Sequence, residues 1–208
     1  AEPFEAPLPA GYEPSGQPRV PGLYAEVLGL SSIFDERQLE ELDEACAPRG
    51  KVVTLSGQEN RGKGAVRIYR TATAVAVVTV TSNLSIDTET CTASYALTSR
   101  ATVRTGKWKY SEVPYFQNPK LDCRPNRRIG RCSEQEHAGI TVTCRNNGDG
   151  FVGDAICVSN RKDLTRGLVF AYESYVDDDS MPTGGWALQR VETDALIDPA
   201  VFAKRDGG

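Results

Sequence analysis

Six cysteines and a single histidine constrain this chain more than any other feature. The cysteines, Cys46, Cys91, Cys123, Cys132, Cys144 and Cys157, form an even set without a Cys-x-x-Cys pair. Zinc sites built from two such knuckles, or from two cysteines and two histidines, are therefore excluded. Disulfides account for the set, and disulfides persist in oxidising compartments. Spacing ranks the pairings without settling them. Cys123 and Cys132 bracket a turn-rich loop, and Cys144 and Cys157 fall on the two arms of an expected hairpin. Cys46 and Cys91 then remain to staple a helix to a sheet. A competing set joins Cys132 to Cys144. A catalytic thiol would need a spare cysteine and a base; His137 is close in sequence to Cys132, but the even count leaves no thiol over.

The chain starts at Ala1, and Ala1-Glu2-Pro3 reads as the residue of cleavage at a small-residue signal site. With the cysteines this predicts a secreted or periplasmic, extracytoplasmic protein. The longest uncharged run, Thr71 to Ile86, holds six threonines and serines among its 16 residues, so no transmembrane segment is expected.

The 208 residues fit one domain with an attached arm. Prolines from Pro3 to Pro21 interrupt residues 1–26 and forbid a long helix there. Phe4, Leu8, Tyr12, Val20, Leu23 and Tyr24 give that arm apolar anchors. It is expected to dock on another subunit or along its own sheet, with a single β-rich domain over residues 27–208. Ser32 followed by Asp35 is a capping box, and Leu39, Leu42 and Cys46 share a helical face, predicting a helix over residues 33–46. Beyond residue 50 the period becomes two. Strands are expected at Lys51–Ser56 paired with Ala65–Arg70, then at Thr71–Thr81, Thr90–Thr105, Gly139–Arg145, Phe151–Ser159, Gly167–Tyr175 and Trp186–Glu192. The uncharged Thr71–Thr81 stretch should be central, because exposed it would aggregate. Asn146 to Gly150 marks a hairpin turn. Asp198-Pro199 opens a short terminal helix, Ala200 to Lys204. The fold class is mainly β: an antiparallel sandwich or barrel with one N-terminal and one short C-terminal helix, stapled by disulfides.

Charge is polarised along the sequence. Residues 100–131 hold nine basic side chains against two acidic ones, whereas residues 1–48 hold ten acidic against two basic. The basic segment carries Lys107, Lys109, Arg124, Arg127, Arg128 and Arg131, interleaved with Trp108, Tyr110, Tyr115 and Phe116. Arginine forks and aromatic faces suit a protein interface or an anionic glycan or lipid surface. The net charge of −4 argues against nucleic acid. Folding of the acidic helix against this segment is the plainer alternative, as is core packing for Trp108. The triple acid Asp177-Asp178-Asp179 could hold calcium through a loop but reads better as a solvated turn.

Catalytic signatures are thin. The sequence lacks a Gly-x-Ser-x-Gly elbow, a His-Glu-x-x-His helix and a phosphate-binding glycine loop. The sequence therefore assigns no catalytic residue, metal or cofactor. It points to an exported, non-enzymatic binding or structural subunit that uses the proline-rich arm and the basic, aromatic segment to engage a protein or anionic cell-envelope partner. The rival is a carboxylate-based hydrolase of an extracellular or envelope glycan, which needs two acids brought together.

Overall fold

The computed structural model describes residues 2–30, 35–123, 131–148, 152–176 and 182–203. Strands take up 51% of the chain and helical turns 14%, so the class is mainly β. In chain order the elements are β1 (Val20–Leu30), α1 (Asp35–Cys46), β2 (Thr54–Ser56), β3 (Gly64–Arg70), β4 (Ala74–Asp87), β5 (Thr92–Thr105), β6 (Cys132–His137), β7 (Ile140–Gly148), β8 (Val152–Val158), β9 (Val169–Val176), β10 (Pro182–Ala187) and β11 (Arg190–Ile197). They form two sheets, ordered β11-β1-β3-β4-β5-β2 and β10-β9-β8-β7-β6. The outermost strands of each sheet are not bonded to one another, so neither sheet closes into a barrel. The backbone gathers into two compact units interleaved in sequence: residues 1–27, 67–77 and 101–207, and residues 28–66 and 78–100.

The smaller unit is organised around α1. Leu42, Cys46, Cys91 and Ala93 are buried together, with Leu39, Val53, Leu55, Leu84 and Ile86 packed on them. This is the apolar face that the helical spacing predicts. The Ser32 cap lies outside the described residues. Cys46 is bonded to Cys91 across a Cα separation of 6.0 Å. That bond sets the helix C-terminus beside the start of β5. The chain leaving the helix therefore meets β5 first, and Thr54 N donates to Cys91 O at 3.0 Å. In consequence β2 runs parallel to β5, with Thr54 opposite Thr92. The expected pairing of Lys51–Ser56 with Ala65–Arg70 is corrected: β3 lies between β1 and β4. Gly57 closes this turn at φ 64°, where a Cβ would come 2.2 Å from the Tyr95 carbonyl oxygen, so both its conformation and its size require glycine.

The central position of the β-branched run is as predicted. The run enters its strand at Ala74, because Thr71 N turns back to bond Ala74 O at 2.8 Å. Val75, Ala76, Val77 and Val78 are each at most 1% exposed.

In the larger unit, β1 pairs antiparallel with β11, Val20 opposite Ile197. Residues 20–26 of the proline-rich segment thus lie in a sheet, and Leu23, Tyr24 and Ala25 are fully buried. No strand was expected there because proline density masks the alternation. Leu196 N donates to Phe4 O at 2.8 Å and Ala6 N to Leu196 O at 2.9 Å. Tyr69 Oη donates to Pro7 O at 2.7 Å.

The second sheet is an antiparallel meander from β6 to β10. Its edge strand β6, Cys-Ser-Glu-Gln-Glu-His, was not expected, since it lacks apolar alternation; that polar composition suits an edge. Cys144 stands directly opposite Cys157 in the β7–β8 register, and the two are bonded. Cys123 is bonded to Cys132, so the competing Cys132–Cys144 pairing is set aside. Ile156, Val158 and Val169 are buried beneath Leu121, Tyr172 and Trp186. The strand expected at Trp186–Glu192 is two strands. Leu188 is buried, its N–H donates to Phe170 O at 2.8 Å and Gln189 N to Glu26 O at 2.9 Å. The chain steps from one sheet to the other at this point.

The expected short terminal helix forms as a 3-10 turn over Pro199–Phe202, and Lys204 lies outside the described residues. Asp198 caps the turn by accepting from Ala200 N at 2.9 Å and also accepts from Ser15 N at 3.2 Å. Burial pushes its carboxyl pKa up, but the bonds from Ser15 and Ala200 and the Arg19 charge outweigh this and hold it below the usual value. A lowered carboxyl contributes stability that is present at neutral pH and lost as pH falls through the folded-state value. Asp198→Ala is expected to cost about 1 to 2 kcal/mol at neutral pH, and Asp198→Asn to flatten the acid limb of stability. Urea unfolding from neutral pH down to about pH 3 checks both. Loss of the 45-residue closure in Cys46→Ala/Cys91→Ala should lower the unfolding free energy by about 2 to 4 kcal/mol, read by the same titration.

Candidate functional site

The basic, aromatic segment is built on Arg70, the last residue of β3. Arg70 Nη1 donates to Leu164 O at 2.8 Å and to Arg166 O at 2.7 Å. Its guanidinium carbon stands 5.2 Å from the Trp108 ring centroid and 5.5 Å from that of Phe116. Trp108 packs edge-on against Phe116 at 5.3 Å and against Tyr110 at 5.5 Å. A cation held between two aromatic faces with two carbonyl acceptors is well compensated for its burial. Burial pulls the Arg70 pKa below its ordinary value, opposed by Tyr110 and Asp163.

The carbonyls that receive Arg70 are presented by a tight loop. Asp163 Oδ1 accepts from Thr165 N at 2.9 Å, and the fully buried Ser159 and Thr165 hydroxyls meet at 2.8 Å. Gly167 follows at φ 80°, and a Cβ there would stand 2.3 Å from Tyr110 Cε1. Glycine thus lets the Tyr110 ring lie on the loop backbone. Tyr115 takes up φ 65°, a conformation that costs a non-glycine residue energy. It is held by Val169 N, which donates to Tyr115 O at 2.9 Å, and by its ring, 4.7 Å from Trp186. Burial raises the Tyr115 phenol.

Next to this cluster in sequence, Lys107 and Lys109 are exposed. A cavity of about 510 Å³ is lined by Lys109, Tyr110, Ser111, Phe116, Gln117 and Asn118. The nearest acid in sequence, Glu112, is committed to its own turn and accepts from Lys109 N at 3.0 Å. Ammonium, hydroxyl, carboxamide and aromatic groups therefore converge where no carboxylate lines the wall.

The structure thus gathers Trp108, Tyr110 and Phe116 beside Arg70 and sets Lys109, Tyr110 and Phe116 in one cavity wall, whereas Lys107 is exposed and the Tyr115 ring packs on Trp186. Arg131 belongs to a different cavity. Arg124, Arg127, Arg128 and Asp177–Asp179 lie outside the described residues. Sequence reasoning missed Arg70, since a single arginine ending a strand carries no local signal.

The second cavity, about 320 Å³, opens on the face of the five-stranded sheet. Arg131, Arg145, His137, Glu173 and the Cys144–Cys157 bond are among its walls. Each of these two cavities holds at most one carboxylate, Glu173 in the second. Among the described residues no helix is long and apolar enough to cross a membrane.

No protein-family model matches the sequence, and neither characterised proteins nor solved structures yield a match.

Arg70→Lys tests the cluster. Lysine lacks the planar fork needed to stack and to reach both carbonyls, so the change should cost about 2 kcal/mol and alter tryptophan emission. Equilibrium denaturation followed by fluorescence measures both.

Proposed function

We propose that this chain is an exported, non-enzymatic binding subunit whose cavity at residues 109–118 receives an acidic, extended segment of a partner protein. The observation that carries this reading is the wall of that cavity. Lys109, Tyr110, Ser111, Phe116, Gln117 and Asn118 present cationic, hydrogen-bonding and aromatic groups together. Lys107 and Lys109 make no ion pair among the described residues. Such groups recognise carboxylates and extended backbone, and aromatic residues with neighbouring cations concentrate binding energy at interfaces. The Arg70 cluster beneath keeps Tyr110 and Phe116 in place, so little ordering entropy is lost when a ligand docks.

Three disulfides suit an oxidising, extracytoplasmic location. Residues 4–7 and 20–26 of the proline-rich segment are engaged with the chain's own strands. Recognition therefore falls to residues 107–118 rather than to that segment.

Binding of a fluorescent Glu-rich decapeptide, followed by anisotropy at several salt concentrations, tests this. The wild-type chain is expected to bind with an affinity that falls as salt rises. Lys107→Glu/Lys109→Glu should weaken binding about tenfold or more without changing thermal stability. Equal affinity in the charge-reversed variant, or binding to an anionic polysaccharide with none to the peptide, overturns the proposal.

A further inference from the structure

The five-stranded sheet places the only histidine beside a disulfide. One ligand-type atom from each of His137, Cys144 and Cys157 lies within 4.8 Å of the other two. We propose that the Cys144–Cys157 bond masks a three-ligand site for a thiophilic divalent cation such as Zn²⁺, opened when the bond is reduced.

Three observations and one point of coordination chemistry support it. First, Cys144 and Cys157 are directly opposite on β7 and β8, so after reduction both sulfurs still project from the same face of the sheet. Second, a tetrahedral zinc with Zn–S of about 2.3 Å separates two thiolates by about 3.8 Å. Side-chain rotation achieves that without moving a strand. Third, Gln135 Oε1 lies 3.3 Å from His137 Nε2 and orients the ring, as outer-shell partners of metal-bound imidazoles do. Fourth, the three residues face a cavity of about 320 Å³ that gives a cation an entry path and leaves a fourth position for water. Arg131 and Arg145 line the same cavity. Among the described residues the buried Arg145 Nε has no hydrogen-bond partner. Glu173 lines the cavity too and sets a carboxylate in the same wall.

The chemistry balances with a dithiol as reductant. Two electrons and two protons pass from the dithiol to the bond, giving two cysteine thiols and the dithiol's own disulfide. Binding of the cation then releases the two thiol protons. The oxidised chain holds no cation here, since a disulfide sulfur is a poor ligand. The proposal is independent of the cavity at residues 109–118.

The test uses the full chain, reduced with dithiothreitol and freed of it anaerobically. Titration with Co²⁺ should give cobalt–thiolate charge-transfer bands at one equivalent, displaced by Zn²⁺, with none in the oxidised chain. Zn²⁺ should protect Cys144 and Cys157, but not the other four cysteines, from iodoacetamide, read by peptide mass spectrometry. His137→Asn should weaken Co²⁺ binding about tenfold or more. Site-resolved protection keeps the test valid should reduction loosen the other bonds. Protection spread over all six cysteines, no protection, or uptake indifferent to His137→Asn overturns the proposal.

Discussion

Val75 to Val78 of β4 are at most 1% exposed, and the run from Thr71 to Ile86 carries no charge. Such a strand needs cover on both faces and partners on both edges, because an open edge of this composition pairs with other chains. β3 and β5 supply the edges. Each valine buried this way contributes about 1.5 to 3 kcal/mol relative to exposure. The six-stranded sheet is arranged around this demand, and the polar strands fall at or near its borders.

The candidate binding site inherits its rigidity from the same sheet. Arg70 ends β3, next to the buried strand, and its guanidinium reaches the carbonyls of Leu164 and Arg166. Trp108 and Phe116 cover that cation and are themselves placed by it. A loop with glycine at residue 167 and a left-handed Tyr115 accepts backbone strain to bring Tyr110 and Phe116 to one wall. Strain of this kind is tolerated where surrounding contacts over-determine the conformation. Lys109 then shares a cavity wall with aromatic rings whose positions these contacts fix.

The three disulfides do different work. Cys46–Cys91 steers the chain leaving α1 onto β5 and so creates the parallel β2 pairing. Cys123–Cys132 ties the segment after the aromatic cluster to the edge strand β6. Cys144–Cys157 joins two strands already paired by hydrogen bonds, where a cross-link adds least to topology. The histidine beside it, at a cavity that Arg131 and Glu173 also line, is more informative about it than its place in the framework.

The β-branched run and the turn residues determined the mainly β class and the central strand, because each acts over a short span of sequence; cysteine spacing only ranked the three cross-links, and the structure settled them. The apolar spacing of Leu39, Leu42 and Cys46 likewise made α1 legible. The basic and aromatic residues at 107–116 were visible as a cluster, with core packing an alternative for Trp108, but not that Trp108 and Phe116 would turn to Arg70. Tertiary structure alone decided that, since Arg70 lies far away in sequence and reaches them only when β3 enters the sheet. It also decided the fate of the proline-rich segment, whose pairing with β11 joins opposite ends of the chain. It divided Trp186–Glu192 between two sheets at Leu188, and it set His137 beside a bond between two other strands. In each case the deciding contact spans a long stretch of chain, and no local periodicity or propensity encodes a partner at that distance.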